Sequence, residues 1–507
     1  MPESRTTLRT QPGVPVSTLL CILAMQFFVA AACIFIPAIG TEDDELLFVP
    51  PAWWPGAALS SLSIFGHRIP TMLMSYVGAD KTLLYWPILH HLPPSMWLLR
   101  LPPVFIGALT LWILFLALRR LAGEWTALAL VWLLATDAIF LLTTTFDWGP
   151  VAIQHLFVAL AFWLYARPKP MVFLGSAALG LAFWDKGTAI WTIGAFAVSA
   201  AVFLRREILA RVSRANLLKA AAGAALGALP ILIFNLQHRL ATFRENAGFT
   251  TEGLSQKLQI MWLTLTGTGM FGFMVRGGAP SWHSLAPWLI LLALPLAVLP
   301  KVRPVRPLAL FSLLSALIIW AGMLFVHAGG TSVHHTILVW PWPYVFAICI
   351  IGCVLNGSRP GSVVFALLVA AVVVSNLGLL AVYADKAWEN GPSPTWSDAN
   401  LMLPKEYPGR KHILVLDWGI YNVAVYRSRG QAPIDDRTFS GLQPGDIQDI
   451  ADTEFLDHVN SQEIIAGNNA KFDAAIEKLG LVRVVDSTIP DSHGNPFLVL
   501  FHCAPVH

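Results

Sequence analysis

Charge is what this sequence has least of. Only 12% of its 507 residues are Asp, Glu, Lys or Arg, while 56% are hydrophobic, and the mean hydropathy is +0.63. A soluble chain of this length cannot bury so much apolar surface, so the soluble globular classes are excluded and a polytopic α-helical membrane protein remains. The net charge of +3 is small and dispersed, which excludes a basic nucleic-acid surface. Cysteine is sparse too. Cys21, Cys33, Cys349 and Cys353 fall inside hydrophobic runs and Cys503 stands alone in the tail, so no disulfide framework follows. Internal repeats and low-complexity tracts are lacking. The first apolar run is too long for a cleaved signal peptide, despite Ala30-Ala31-Ala32, and is expected to remain as a helix.

What is present is a series of long apolar runs. They predict about eleven transmembrane helices, near 14–38, 97–118, 124–144, 149–166, 171–184, 187–204, 216–236, 284–300, 307–326, 336–355 and 361–383. With Arg5 and Arg9 in the cytoplasm, the basic clusters all fall on that same side: Arg119-Arg120, Arg167 with Lys169, Arg205 to Lys219, Lys301 to Arg306, and Arg359. Such a pattern predicts a multi-pass protein of the cell's inner (plasma) membrane. An odd helix count places the tail outside. The expected domains are a membrane domain over 1–383, with a long first outer loop at 41–97, and a small periplasmic or extracellular α/β domain over 384–507. In the tail, His412 to Leu416, Leu481 to Val485 and Pro496 to Phe501 read as strands. Asn468 to Leu479 reads as a helix closed by Gly480, and Trp388 to Ser397 as the linker. In the first loop, the apolar stretches Ala57–Phe65 and Thr82–Leu89 suggest helices lying in the interface plane.

The outer face collects the chemistry. Glu42-Asp43-Asp44-Glu45 follows directly on the first span. Four carboxylates beside a bilayer push one another's pKa upward, which suits a proton acceptor; a solvated loop at a helix end is the plain alternative. Asp147, in Phe146-Asp147-Trp148-Gly149-Pro150, sits where it can cap the next helix or join the acidic cluster. Lys186, in Asp185-Lys186-Gly187, is either neutralised by its neighbour or an ammonium that holds a phosphate at membrane depth. Lys81 and Arg276 are further cations on that face. His334-His335 can donate hydrogen bonds to an anion, but adjacent histidines diverge and no Cys or carboxylate stands near, so no metal site is expected. Most of the 20 tryptophans belong to the interfacial belt; Trp53-Trp54, Trp86, Trp148 and Trp184 lie beside the charges, where a ring can stack on a sugar.

Carboxylates to activate a hydroxyl, deep cations for a lipid phosphate and aromatics for a pyranose together fit sugar transfer from a lipid-linked donor. The motifs that carry a family likeness are Asp44-Glu45 with Leu46-Leu47-Phe48, Tyr76 to Lys81, Leu84-Tyr85-Trp86-Pro87, Leu99-Arg100-Leu101-Pro102, Phe146 to Pro150, Trp184 to Gly187, Pro230 to Asn235 with Thr242, and His334-His335 before Pro341 and Pro343. In their order, the chain resembles the integral-membrane glycosyltransferases of the GT-C fold, in the protein mannosyltransferase and aminoarabinose transferase group. The likeness implies an inverting transfer from a polyprenyl-phosphate sugar to an acceptor glycan, lipid or protein, without a cofactor. It further implies Asp44 as general base, with Asp43 one residue away as its rival. Glu45 and Asp147 would tune the base, and Lys186, Arg276, His334 or His335 would hold the phosphate. A transporter or flippase of an anionic lipid-linked sugar is the competing reading.

Overall fold

The computed structural model describes residues 15–327, 329–405 and 412–506; Arg5 and Arg9 lie outside the described residues. Among the described residues, five helices are long and apolar enough to cross a membrane: Val16–Phe35, Met96–Ala122, Arg306–Leu324, the run Val333–Leu355 and Arg359–Glu389. Two bent pairs raise the number to seven if each is one span. Glu124–Thr136 and Ala138–Phe146 meet at 63°, because Asp137 between them is extended and its side chain caps the Phe140 amide at 2.9 Å. Arg214–Gly227 and Leu229–Gln237 meet at 71°, where Pro230 occupies the first turn of the second helix. Ala152–Tyr165, Val172–Asp185, Ala189–Phe203 and Ala286–Leu296 stand at the other expected positions. They have only 11 to 15 residues, fewer than the roughly 20 that the hydrocarbon core requires.

Between the long helices the structure departs from the sequence reading in several places. Ala57–Phe65 is not an interfacial helix. Ser60–Ile64 is a strand, paired antiparallel with His67–Met74, which in turn pairs with Val77–Gly78. The cause is local: Phe65 and Gly66 both have positive φ and close a two-residue hairpin. The second stretch does form a helix, Asp80–His91. A helix at Leu254–Thr266 lies in what reads as an outer loop. The helix Arg359–Glu389 runs six residues past the expected boundary at 383. The expected linker is packed rather than free, with Trp396 wholly buried.

The tail forms one five-stranded sheet in the order Ile434–Asp436, His412–Val415, Thr453–His458, Pro496–Pro505, Leu481–Pro490. The first three strands are parallel and the last two join antiparallel. Helix Tyr421–Ser428 connects the first parallel pair. This sheet packs on the segment between the first two long helices. Leu46, Phe48, Val49 and Tyr85 share a core with Ile413, Ile420 and Val423, and the Tyr426 hydroxyl donates to the Ser95 carbonyl at 2.9 Å and accepts from the Ser95 amide at 3.0 Å.

Candidate active site

The acidic turn is built where the first helix ends. After Val16–Phe35 the chain passes so close to the tail that a Cβ on Gly40 would lie 2.1 Å from the Ser397 carbonyl oxygen, which only glycine permits. A short 3-10 turn, Asp44–Leu46, then presents the carboxylates. Arg100, in the first turns of Met96–Ala122, fixes that turn from below. It donates to both Glu45 oxygens, at 2.7 and 2.8 Å, and to the carbonyls of Ile36, Ile39 and Gly40. All five guanidinium N–H groups are thereby used. Its Cζ lies 4.3 Å from the Phe146 ring centroid. Ionic groups this deep cost desolvation, which full pairing of this kind offsets.

The other carboxylates divide by partner. Glu42 accepts from the Glu45 amide at 3.1 Å. Asp43 accepts from the Asn422 amide at 3.3 Å, and its carbonyl accepts from the Asn422 side chain at 3.2 Å. Asp44 is half-buried, and among the described residues no hydrogen bond reaches its carboxylate. Burial, reinforced by Asp44 and Asp43, holds the Glu42 carboxyl well above its ordinary range. Burial and Asp44 push Asp43 up to about 7. Asp44 is also raised by burial, with the Lys186 ammonium pulling against it.

Asp147 proves to be both a cap and an ion-pair partner. It ends Ala138–Phe146 in the left-handed conformation, and its Oδ1 accepts from the Val151 and Ala152 amides at 2.8 Å. Its Oδ2 lies 2.9 Å from Lys81 Nζ, which also donates to the Asp147 carbonyl at 2.9 Å. Lys186 reaches the same turn from the other side, donating to the Gly149 carbonyl at 3.3 Å. Burial lowers the Lys186 ammonium to about 8, against the pull of Asp185, Asp147 and Asp44. His334 approaches this turn as well. Its ring is 5.4 Å from that of Trp148, and it lies against Gly149, whose positive φ keeps the turn free of a side chain. His335 is 4.1 Å from His334, ring to ring, and lines an open cavity with Tyr76, Gly187, Trp191 and Asn246.

The structure thus gathers Asp44, Lys81, Asp147, Lys186, His334 and His335 about one turn. Arg276 goes elsewhere: it pairs with Asp491 of the tail at 3.0 Å and donates to the Pro392 carbonyl. Glu45 is committed to Arg100. No grouping of three His, Cys, Asp or Glu suited to a metal ion occurs among the described residues.

Three participants escape sequence reasoning. Arg100 was visible only as part of a motif. Asn422 comes from the tail, and nothing in its surroundings in sequence signals contact with Asp43. Asp80 faces Asp185 carboxyl to carboxyl, a contact in which the two share a proton, and the Lys81 amide also approaches Asp80; all four oxygens are buried. Each of these aspartates directly precedes a lysine of the site, Lys81 or Lys186. The doublet Asp-Lys occurs three times, at 80–81, 185–186 and 385–386, and the first two copies are at the site.

No protein-family model matches the sequence, and no curated protein matches it. Solved structures do. ArnT from Cupriavidus metallidurans bound to undecaprenyl phosphate is similar at a TM-score of 0.60 and 12% identity, over 95% of this chain and 97% of that one. Its apo state gives a TM-score of 0.60 and 12% identity over 96% and 98%. The apo oligosaccharyltransferase of Archaeoglobus fulgidus gives a TM-score of 0.50 and 13% identity over 93% of this chain and 69% of its own. At these identities the likeness shows the fold: the chain has the GT-C fold of membrane glycosyltransferases.

Proposed function

We propose that the chain is a membrane glycosyltransferase that moves a sugar from a polyprenyl-phosphate donor to an acceptor hydroxyl on the extracytoplasmic face. The observation that carries this reading is Asp44, the one carboxylate of its cluster left without a hydrogen bond among the described residues, with the Lys186 ammonium acting on it. The likeness to ArnT, solved with undecaprenyl phosphate bound, supports the donor class.

In this reading Asp44 takes the acceptor hydroxyl proton as that oxygen bonds to the anomeric carbon. The bond from that carbon to the phosphate oxygen breaks on the opposite face, so configuration inverts. The electron pair leaves with the polyprenyl phosphate. Lys186 neutralises the departing charge, and a compensated phosphate leaves without a general acid. Lys81 and Asp147 hold the Asp147–Gly149 turn against which Lys186 is placed. His334 and His335 lie on the phosphate side. Arg276, tied to Asp491, is a joint between membrane domain and tail rather than a phosphate ligand. The tail closes over the acidic turn through Asn422 and Asp43, which suits a role at the acceptor's approach. In the proposed topology the eleven apolar helices span an inner membrane, with the tail in the periplasm. Nothing in the structure favours the transporter alternative.

The test is incubation of the purified chain, in lipid nanodiscs, with a panel of radiolabelled polyprenyl-phosphate sugars. Release or transfer of sugar from one donor is expected. Binding and flipping of a donor without any sugar release would replace the proposal with transport.

A further inference from the structure

Arg119 and Arg120 end the helix Met96–Ala122, about 28 Å along its axis from Arg100. They therefore lie at the membrane face opposite the acidic turn. Arg167, just past the end of the neighbouring helix Ala152–Tyr165, meets them there. Together with Leu116 and Trp163 these arginines line an open pocket of about 330 Å³. Two of the guanidinium groups are laid on aromatic rings: Arg119 is 5.4 Å from the Phe115 centroid and Arg167 is 5.0 Å from that of Trp163. Stacking of this kind orders a guanidinium while leaving its N–H edge free.

Among the described residues, none of the three guanidinium groups forms an ion pair or donates a hydrogen bond to another side chain or carbonyl. Glu124, the acid that follows them in sequence, accepts instead from the Ser17 hydroxyl at 2.9 Å. Ordinary positive-inside arginines project into water. Here Arg119 and Arg167 are half-buried, stacked and convergent on one concave space.

We propose that Arg119, Arg120 and Arg167 form a binding site for a phosphate group at the membrane face opposite the active site. A planar guanidinium fork matches phosphate oxygens bidentately, and basic pockets between membrane helices suit anionic headgroups. The phosphate comes either from an anionic phospholipid or from solution.

Native mass spectrometry of the full chain, released from nanodiscs containing phosphatidylglycerol in phosphatidylcholine, reads the lipid arm directly. Wild type is expected to retain phosphatidylglycerol, and the double variant Arg119→Gln/Arg167→Gln to bind it about 30-fold more weakly, the product of two lost cations near the surface. The charge-retaining variant Arg119→Lys/Arg167→Lys guards against misfolding and is expected to fall between them. Inorganic phosphate added in detergent reads the other source. If it raises the unfolding midpoint of wild type but not of the double variant, and phosphatidylglycerol does not, the pocket takes free phosphate. Equal lipid retention by all three proteins, with no phosphate-dependent midpoint shift, overturns the proposal.

Discussion

Arg100 grips both oxygens of Glu45, at 2.7 and 2.8 Å, from a position with no solvent exposure. The pair joins the end of the first helix to the start of the second long one, and the acidic turn hangs from it. Glu45 is therefore a support of the site rather than a proton carrier. Removing one partner leaves the other buried and unpaired, at a cost of about 3–5 kcal/mol. Arg100→Met is expected to lower the thermal unfolding midpoint sharply, whereas Glu45→Gln keeps hydrogen-bond acceptance and loses less. Equal midpoints for wild type and Arg100→Met would show that the clamp does not hold the turn.

The pH profile of sugar transfer follows from two opposed groups. Asp44 must be ionised to accept a proton, and burial raises its pKa. Activity should therefore fall on acidification at a pH above the ordinary carboxylate range, with Asp43, at about 7, adding its own charge nearby. Lys186 must be charged, and it loses its proton as pH rises through about 8. A bell-shaped kcat/KM profile is expected, and Lys186→Met should flatten its alkaline limb. A wild-type profile with no alkaline limb near that pH contradicts the role given to Lys186.

Asp80 and Asp185 make a pH prediction of the opposite sign. Burial beside Asp185 pushes the Asp80 carboxyl up to about 6, from 3.8 unperturbed. The folded chain thus keeps a proton that the unfolded chain has given up. Its contribution to stability is complete below pH 3.8 and is lost as pH rises through about 6. Asp80→Asn retains a hydrogen-bonding partner for Asp185 and removes the Asp80 titration. Unfolding midpoints measured across that window should decline in wild type relative to Asp80→Asn; parallel curves would exclude the shared proton.

The tail's docking rests in part on one hydroxyl. Tyr426→Phe strands the Ser95 amide at a partly buried joint, while the Ser95 carbonyl keeps the Leu99 amide, a loss of about 1–3 kcal/mol. Limited proteolysis should cut the variant faster between the last long helix and the tail sheet. Unchanged cleavage would mean that the shared apolar core with Leu46 and Phe48 alone secures the tail.

The long apolar helices were legible because their signal is one-dimensional. A run such as Val363 to Ala381 declares itself by composition, whatever packs against it. The hairpin at Ser60–Met74 was not, since its turn depends on the positive φ of Phe65, a residue that rarely adopts it. Strand Thr453–His458 was hidden for another reason. It is buried along its whole length yet contains Glu454, Asp457 and His458, so its hydropathy reads as surface; one of those charges, Asp457, meets Arg483, a residue far along the chain. In the site, charge at the membrane edge pointed to Asp44, Asp147 and Lys186. Their separate duties emerge only from who bonds to whom. Asp147 spends its oxygens on two amides and Lys81, and among the described residues Asp44 keeps its own free of hydrogen bonds.

The central claim is that Asp44 is the proton acceptor, and Asp44→Asn tests it with the least disturbance. In nanodiscs, with the donor that wild type turns over, sugar transfer and donor binding would be measured on the same preparation. The account predicts transfer lost by at least about a hundredfold, the lower range for a general base, with donor binding retained. Transfer at the wild-type rate, or donor binding lost together with transfer, would contradict it and move the base to Asp43 or the role of Asp44 to scaffolding.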